Sequence, residues 1–137
     1  MKKLLASGLL LGGMLAGTLA AHHSFSAEFD RNQKIKLEGV VTKVEWTNPH
    51  VWIYFNAIDA DGKVTNWGAE LGPPHGLQGR GWRRNTLEIG SKITVEGSKA
   101  KNGSARVNAQ TITLAATGGR PGETLDANSS QNDKETK

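Results

Sequence analysis

The sequence predicts an all-β domain: a small five-stranded OB-like barrel, partly open and Greek-key in order, with a short helix or loop between strands 3 and 4. Three observations carry that expectation. Residues 39–55, GVVTKVEWTNPHVWIYF, alternate β-branched and aromatic residues with others on both sides of Thr47-Asn48-Pro49-His50, a strand–turn–strand pattern. Further strand-like runs follow behind short turns, which favours neighbours in meander order. The 137-residue chain also holds 17 glycines, which suits a turn-rich β protein.

Residues 1–21 read as a secretory signal. Lys2 and Lys3 supply a positive start, residues 4–19 are apolar and small, and Thr18-Leu19-Ala20-Ala21 offers small residues for cleavage. The apolar run is short for a membrane span and is interrupted by Ser7, Gly8, Gly12, Gly13 and Gly17. The expected location is therefore the periplasm, with no membrane attachment after cleavage. Residues 22–34, HHSFSAEFDRNQK, form a polar lead-in to the barrel. Phe25 and Phe29 are its large apolar residues. Their spacing of four suits one side of a helical turn, or two anchors of an extended arm.

The barrel domain spans residues 35–115. Residues 35–46 form the first strand. Ile35 and Leu37 point one way by parity, Val40, Val44 and Trp46 the other, so the inward set changes at Gly39-Val40, as at a β-bulge. A long bent first strand lets a small sheet close on itself. Residues 51–59 form the second strand, ended by the turn Asp59-Ala60-Asp61-Gly62. Residues 64–71 return as the third, with Thr65, Trp67, Ala69 and Leu71 on one face. Residues 72–87, GPPHGLQGRGWRRNTL, allow one or two helical turns after Pro73 and Pro74, with Leu77 and Trp82 pointing inward. Residues 91–97 form the fourth strand, with Ile93 and Val95 toward the core. Lys101-Asn102-Gly103-Ser104 is a hairpin turn that suits type I′ geometry, and residues 105–114 form the fifth strand. Residues 116–137 carry one large apolar residue, Leu125, and read as a disordered tail.

Composition excludes several functions. The chain has no cysteine, which removes disulfides, thiolate chemistry and cysteine-based zinc sites. The net charge of +4 falls to +2 without Lys2 and Lys3, leaving 15 basic against 13 acidic residues. That balance gives no electrostatic footprint for nucleic acid. No catalytic constellation is present. Ser24 beside His23 lacks a nucleophile-elbow context, and no phosphate-binding glycine motif follows a strand, so the protein reads as non-enzymatic.

Four histidines remain: His22, His23, His50 and His75. Cleavage after Ala21 exposes His22, whose amine and imidazole can chelate one metal, completed by His23, His50 or His75. Cleavage after Ala20 starts the chain Ala21-His22-His23, so that the amine, two amides and a third-position imidazole can wrap Cu(II) in a square plane. Both geometries suit tetragonal copper or nickel. The metal candidates are His22, His23 and His50. The plainer readings are a solvated N-terminus, a turn histidine bonding a backbone carbonyl at His50, and an exposed loop residue at His75. Glu28 and Asp30 are available carboxylates in a solvated stretch.

A second candidate is a binding face. Trp52 and Tyr54 have opposite parity to Val51, Ile53 and Phe55 and so lie on the outer sheet surface. Such aromatics make a stacking platform, or pack beneath the lead-in or the loop at residues 72–87. Arg80, Arg83 and Arg84 around Trp82 form a local basic patch for an anionic ligand or protein partner, or a solvated loop.

The blocks HHSFSAEFD, GVVTKVEWTNPHVWIYF, NWGAELGPP, GRGWRRNTLEIGSKITVEG and AKNGSARVNA together resemble domain-of-unknown-function family 6152, small exported bacterial proteins, over about residues 22–114. The resemblance implies export and one compact β domain and assigns no reaction. The general pattern is also similar to exported bacterial OB-fold proteins. The expected function is a non-catalytic periplasmic binding protein, with copper at the mature N-terminus as its sharpest form. The alternatives are a metal-free structural or partner-interaction module, which would use the aromatic face and arginine loop, and an accessory of an exported oxidoreductase.

Overall fold

The computed structural model describes residues 25–128. The elements are α1 (Phe25–Glu28), β1 (Phe29–Glu45), β2 (Trp52–Ile58), β3 (Val64–Glu70), α2 (Pro74–Gly79), β4 (Lys92–Ala100), β5 (Arg106–Leu114) and β6 (Glu123–Asp126). β1 pairs antiparallel with both β2 and β4, β2 with β3, and β4 with β5. A short parallel pairing of β3 with β5, Gly68 to Arg106 through Glu70 to Asn108, closes the ring β1-β2-β3-β5-β4. This is the expected OB-like barrel, with α2 between the third and fourth strands. Among the described residues no helix is long and apolar enough to cross a membrane.

β1 serves two neighbours because it is long enough to do so. Its first part lies along β4 and its last part along β2, and Gly39 and Val40 pair with both. There the strand coils from one side of the barrel to the other. Gly39 faces inward beneath Phe55, where a Cβ would lie 2.8 Å from the Phe55 ring and closer still to the Asn56 carbonyl. The parity change falls two residues later than the sequence predicts. The register shifts between Val41 and Lys43, so Val41 is buried and Val40 is 39% exposed. The glycine thus gives clearance, while the extra residue Thr42 makes the bulge, where Val41 exchanges backbone hydrogen bonds with Gly90 and Ser91.

The core gathers the inward rows of all five barrel strands, including Val41, Ile53, Phe55, Ala69, Val95, Val107 and Ile112. Leu77 and Trp82 enter it as expected, together with Leu71 and Leu87. At the other hairpin the Asn-Gly pair does not adopt a type I′ turn. Asn102 keeps a negative φ, Gly103 takes +78°, and the Gly103 N–H donates to the Ala100 carbonyl. A type I′ turn would need positive φ at both central residues.

Two boundaries at the chain ends are corrected. The lead-in holds the helical turn that the spacing of Phe25 and Phe29 allowed, α1, but β1 begins at Phe29 and not at residue 35. Phe25 and Phe29 stack with centroids 5.9 Å apart and are buried with Ala100, an apolar nucleus too small to register in composition. The stretch after residue 115 is likewise not all tail. β6 pairs along β5 and adds a sixth strand outside the five-stranded ring. Leu125 and Ala127 are buried. The Ala127 N–H donates to Gln110 O at the β5 register shift, and its carbonyl accepts from Gly72 N. β5 has a free edge beyond its contact with β3, and backbone groups there are satisfied by whichever segment can reach them. Residues 129–137 of the expected tail lie outside the described residues.

Candidate functional site

The outer barrel surface carries a circumferential row fixed by strand register. It runs from Glu45 to Trp52, Glu70, Asn108, Ser98 and Lys34. These residues share one parity and face away from the core, yet Ser98 and Asn108 are 0% and 2% exposed. The outer surface is therefore covered here, beside the point where α1 joins β1. Lys34 donates from Nζ to Ser98 Oγ at 3.0 Å.

His50 sits at the head of this row. The connection before β2 contains a cis Asn48–Pro49 peptide. Backbone bonds from Val51 N to Gly72 O and from Leu71 N to Val51 O tie its end to the exit of β3. This fixes His50 against Glu70, the last residue of β3, and His50 Nδ1 and Glu70 Oε1 form a short hydrogen-bonded pair. Both side chains are largely covered, 18% and 12% exposed. The Glu70 carboxylate is the main cause that raises the His50 pKa above its ordinary value. Burial opposes it, and the charge of Glu28 adds to it. Since a carboxylate only accepts, Nδ1 is the donor and Nε2 is the ring nitrogen left for another partner. The expectation of a turn histidine bonded to a backbone carbonyl is replaced by this bond to a carboxylate side chain. Glu70 was not among the residues that the sequence singles out. Its only local signal is an outward, β3-terminal position, and its partner lies 20 residues away.

The aromatic face forms as the parity predicts. Trp52 and Tyr54 are half-buried and stack at 6.3 Å with a 22° interplanar angle. Cations already lie on them, the Arg106 guanidinium 4.6 Å from the Trp52 centroid and Lys43 Nζ 5.4 Å from that of Tyr54. Tyr54 also donates to Glu45 at 3.2 Å. The rings are thus engaged by their own barrel, while Phe25 and Phe29 cluster separately on Ala100.

The arginine loop divides. Trp82 is 1% exposed and donates from Nε1 to the Asp126 carbonyl at 2.7 Å, so it is a core residue and presents no ring to a ligand. Arg80 donates to Asn128 O and approaches Asp126. Arg83 donates to the carbonyls of Gln78 and Trp82. The Trp82 and Arg80 contacts tie the loop after α2 to β6, those of Arg83 stay with α2 and its loop, and Arg84 is exposed. His75 lies exposed on α2. His22 and His23 lie outside the described residues, and among the described residues no three His, Asp or Glu side chains come together as a metal cluster.

The fold and this pair define a small OB-like β-barrel with a histidine–carboxylate pair on its outer surface. The chain belongs to the family of unknown function DUF6152, whose model matches residues 13–109. No curated protein matches it.

Proposed function

We propose that the protein is an exported, periplasmic binding module, without catalytic activity of its own, that takes Cu(II) through His50 together with His22 and His23 of the processed N-terminus. The observation that supports this most is the hold of Glu70 on His50 Nδ1, which leaves Nε2 as a donor. Metal-ligating histidines commonly give their other ring nitrogen to a carboxylate in this way. One histidine does not make a site, and the described residues supply no cluster. The remaining donors must therefore come from elsewhere in the chain. Phe25 is buried in the cluster with Phe29 and Ala100, and Glu28 is close enough to act electrostatically on His50. His22 lies three positions before Phe25, a covalent reach of roughly 10 Å. A terminal amine and imidazoles are the nitrogen set that tetragonal Cu(II) favours. Export is supported by the positive, apolar, small-residue pattern of residues 1–21.

The test is the intact mass and metal content of the natively purified, exported protein. The expected result is a chain that begins at His22 or Ala21 with one bound copper, and loss of tight binding in His22→Ala with the fold retained. A processed protein that is metal-free and also ignores added Cu(II) would overturn the reading. The Trp52–Tyr54 face would then be the surface to test, by partner pull-down with Trp52→Ala.

A further inference from the structure

We infer that β6 exchanges between molecules: the groove it fills on β5 is an interaction surface whose partner is the β6 segment of a second copy, and reciprocal exchange makes a two-fold dimer. The inference does not depend on the copper reading.

The groove exists because β5 is longer than its contact with β3. β3 pairs with it from Arg106 to Asn108, and the edge from Thr111 to Leu114 is left for another strand. Such an edge takes an extended segment through main-chain bonds, and sockets for alternate side chains set which segment fits. Both parts are present. The Ala127 backbone bonds to Gln110 O and Gly72 N, and Trp82 Nε1 and the Arg80 guanidinium donate to the carbonyls of Asp126 and Asn128. Leu125 and Ala127 fill the sockets, 7% and 0% exposed, and their spacing of two puts them on one face of a strand. Thr124 adds a side-chain contact, its Oγ1 lying 2.8 Å from Thr113 Oγ1. The occupant that this groove recognises is therefore on view, and every copy of the chain carries it.

The connection of β6 to its own barrel is loose by comparison. Residues 116–124 are exposed. The backbone bonds between Thr117 and Arg120 close a turn at Gly118 and Gly119 within the linker itself. Leu114 and Glu123, on either side of the linker, are paired neighbours. Residues 115–122 reach roughly 25 Å when extended, so the linker has slack to carry β6 from one β5 edge to another. The two glycines hold positive φ in the closed turn and are free to leave it. A second copy's β6 makes the same contacts, so exchange gives none of them up. Concentration then decides between the two forms, because a segment on a short flexible tether competes at an effective concentration on the order of millimolar. Swapping one identical element between protomers is a direct route to a symmetric dimer.

The experiment uses the exported, processed chain, which has no cysteine of its own. Thr113 and Thr124 stand directly opposite across β5 and β6. Thr113→Cys and Thr124→Cys are made singly, mixed at about millimolar concentration, left to exchange and then oxidised. In a closed molecule of either variant the new thiol faces a threonine. Exchange alone brings the two thiols opposite each other, at a separation that suits a disulfide. The expected result is a disulfide-linked dimer from the mixture, absent from either variant by itself, with a yield that falls on dilution before oxidation. The double variant should close the same bond within one chain, which checks the geometry. The inference is overturned if the double variant closes that bond while the mixture stays monomeric, or if one variant alone dimerises as much as the mixture. Should the double variant not close it, light scattering on the wild type at the same concentration decides. A dimer that Leu125→Ser abolishes supports exchange. A monomer overturns it, and so does a dimer that Leu125→Ser keeps, since the second copy then sits on another face.

Discussion

His50 and Glu70 form the pair with the clearest electrical consequence. The carboxylate stabilises the imidazolium, so the His50 pKa is raised in the folded chain relative to its ordinary value of 6.5. A group whose pKa is raised on folding contributes stability that is complete below its unfolded value and fades as pH rises through the folded value. In metal-free buffer the wild type should therefore exceed His50→Gln in stability by about 1–2 kcal/mol below pH 6.5, the size of a charge-assisted hydrogen bond. The difference should shrink on the alkaline side of 6.5, and thermal melts of both proteins across that range measure it. A difference that grows with pH would mean that the ring is held neutral. The cation over Trp52 is a second residue-scale case. Arg106→Gln should cost about 0.5–1 kcal/mol and alter tryptophan fluorescence, because the guanidinium lies 4.6 Å from the indole centroid.

At the scale of elements, the closing segment and the bend in β1 decide stability. β6 is only four residues long, but Leu125 is buried and the carbonyls of Asp126 and Asn128 receive Trp82 and Arg80. Leu125→Ala should cost roughly 2–3 kcal/mol by urea denaturation, and Trp82→Ala about 3–5 kcal/mol, since it empties core volume and removes a buried donor. If β6 were a loose tail, Leu125→Ala would leave the midpoint unchanged. In β1, Gly39→Ala should destabilise by about 1–3 kcal/mol or more, because the new methyl meets both the Phe55 ring and the backbone of Asn56. Equilibrium unfolding of that single variant is sufficient to check it. Val40→Ala, by contrast, should cost little, because Val40 is an exposed residue beside the bulge.

At the scale of the molecule, the barrel closes through one short parallel contact, Gly68 to Arg106 through Glu70 to Asn108. The same contact brings Glu70 into the outer row with Asn108 and Trp52, so closure and site assembly are one event. Native-state hydrogen exchange should accordingly find the slowest amides in β1, β4 and β5, the longest strands, with the connection around His50 exchanging sooner. Much of this was legible in the chain itself. The alternation in residues 39–55, Asp59 at the β2–β3 turn and Pro73 and Pro74 at the start of α2 are local signals, and each led to the right element. The position of the bulge was not, because Gly39 and Thr42 both fit a parity change and only packing against Phe55 separates clearance from insertion. Nor was β6, whose four residues carry one apolar side chain and become a strand only against the free edge of β5. Trp82 read both as an inward residue and as part of a basic patch. Its burial and its bond to Asp126 resolve that in favour of the core.

The sequence by itself determined the class of fold, the order of the five barrel strands, the short helix or loop between the third and fourth, and that Trp52 and Tyr54 face outward. These follow from periodicity and turn chemistry, which act over a few residues. The tertiary structure alone decided that His50 meets Glu70, that Phe25 and Phe29 dock on Ala100, and that residues 123–126 join the sheet. Each of those joins segments 20 to 75 residues apart or a short strand to an open edge. No local pattern encodes such a meeting, because it is set by strand register and barrel closure.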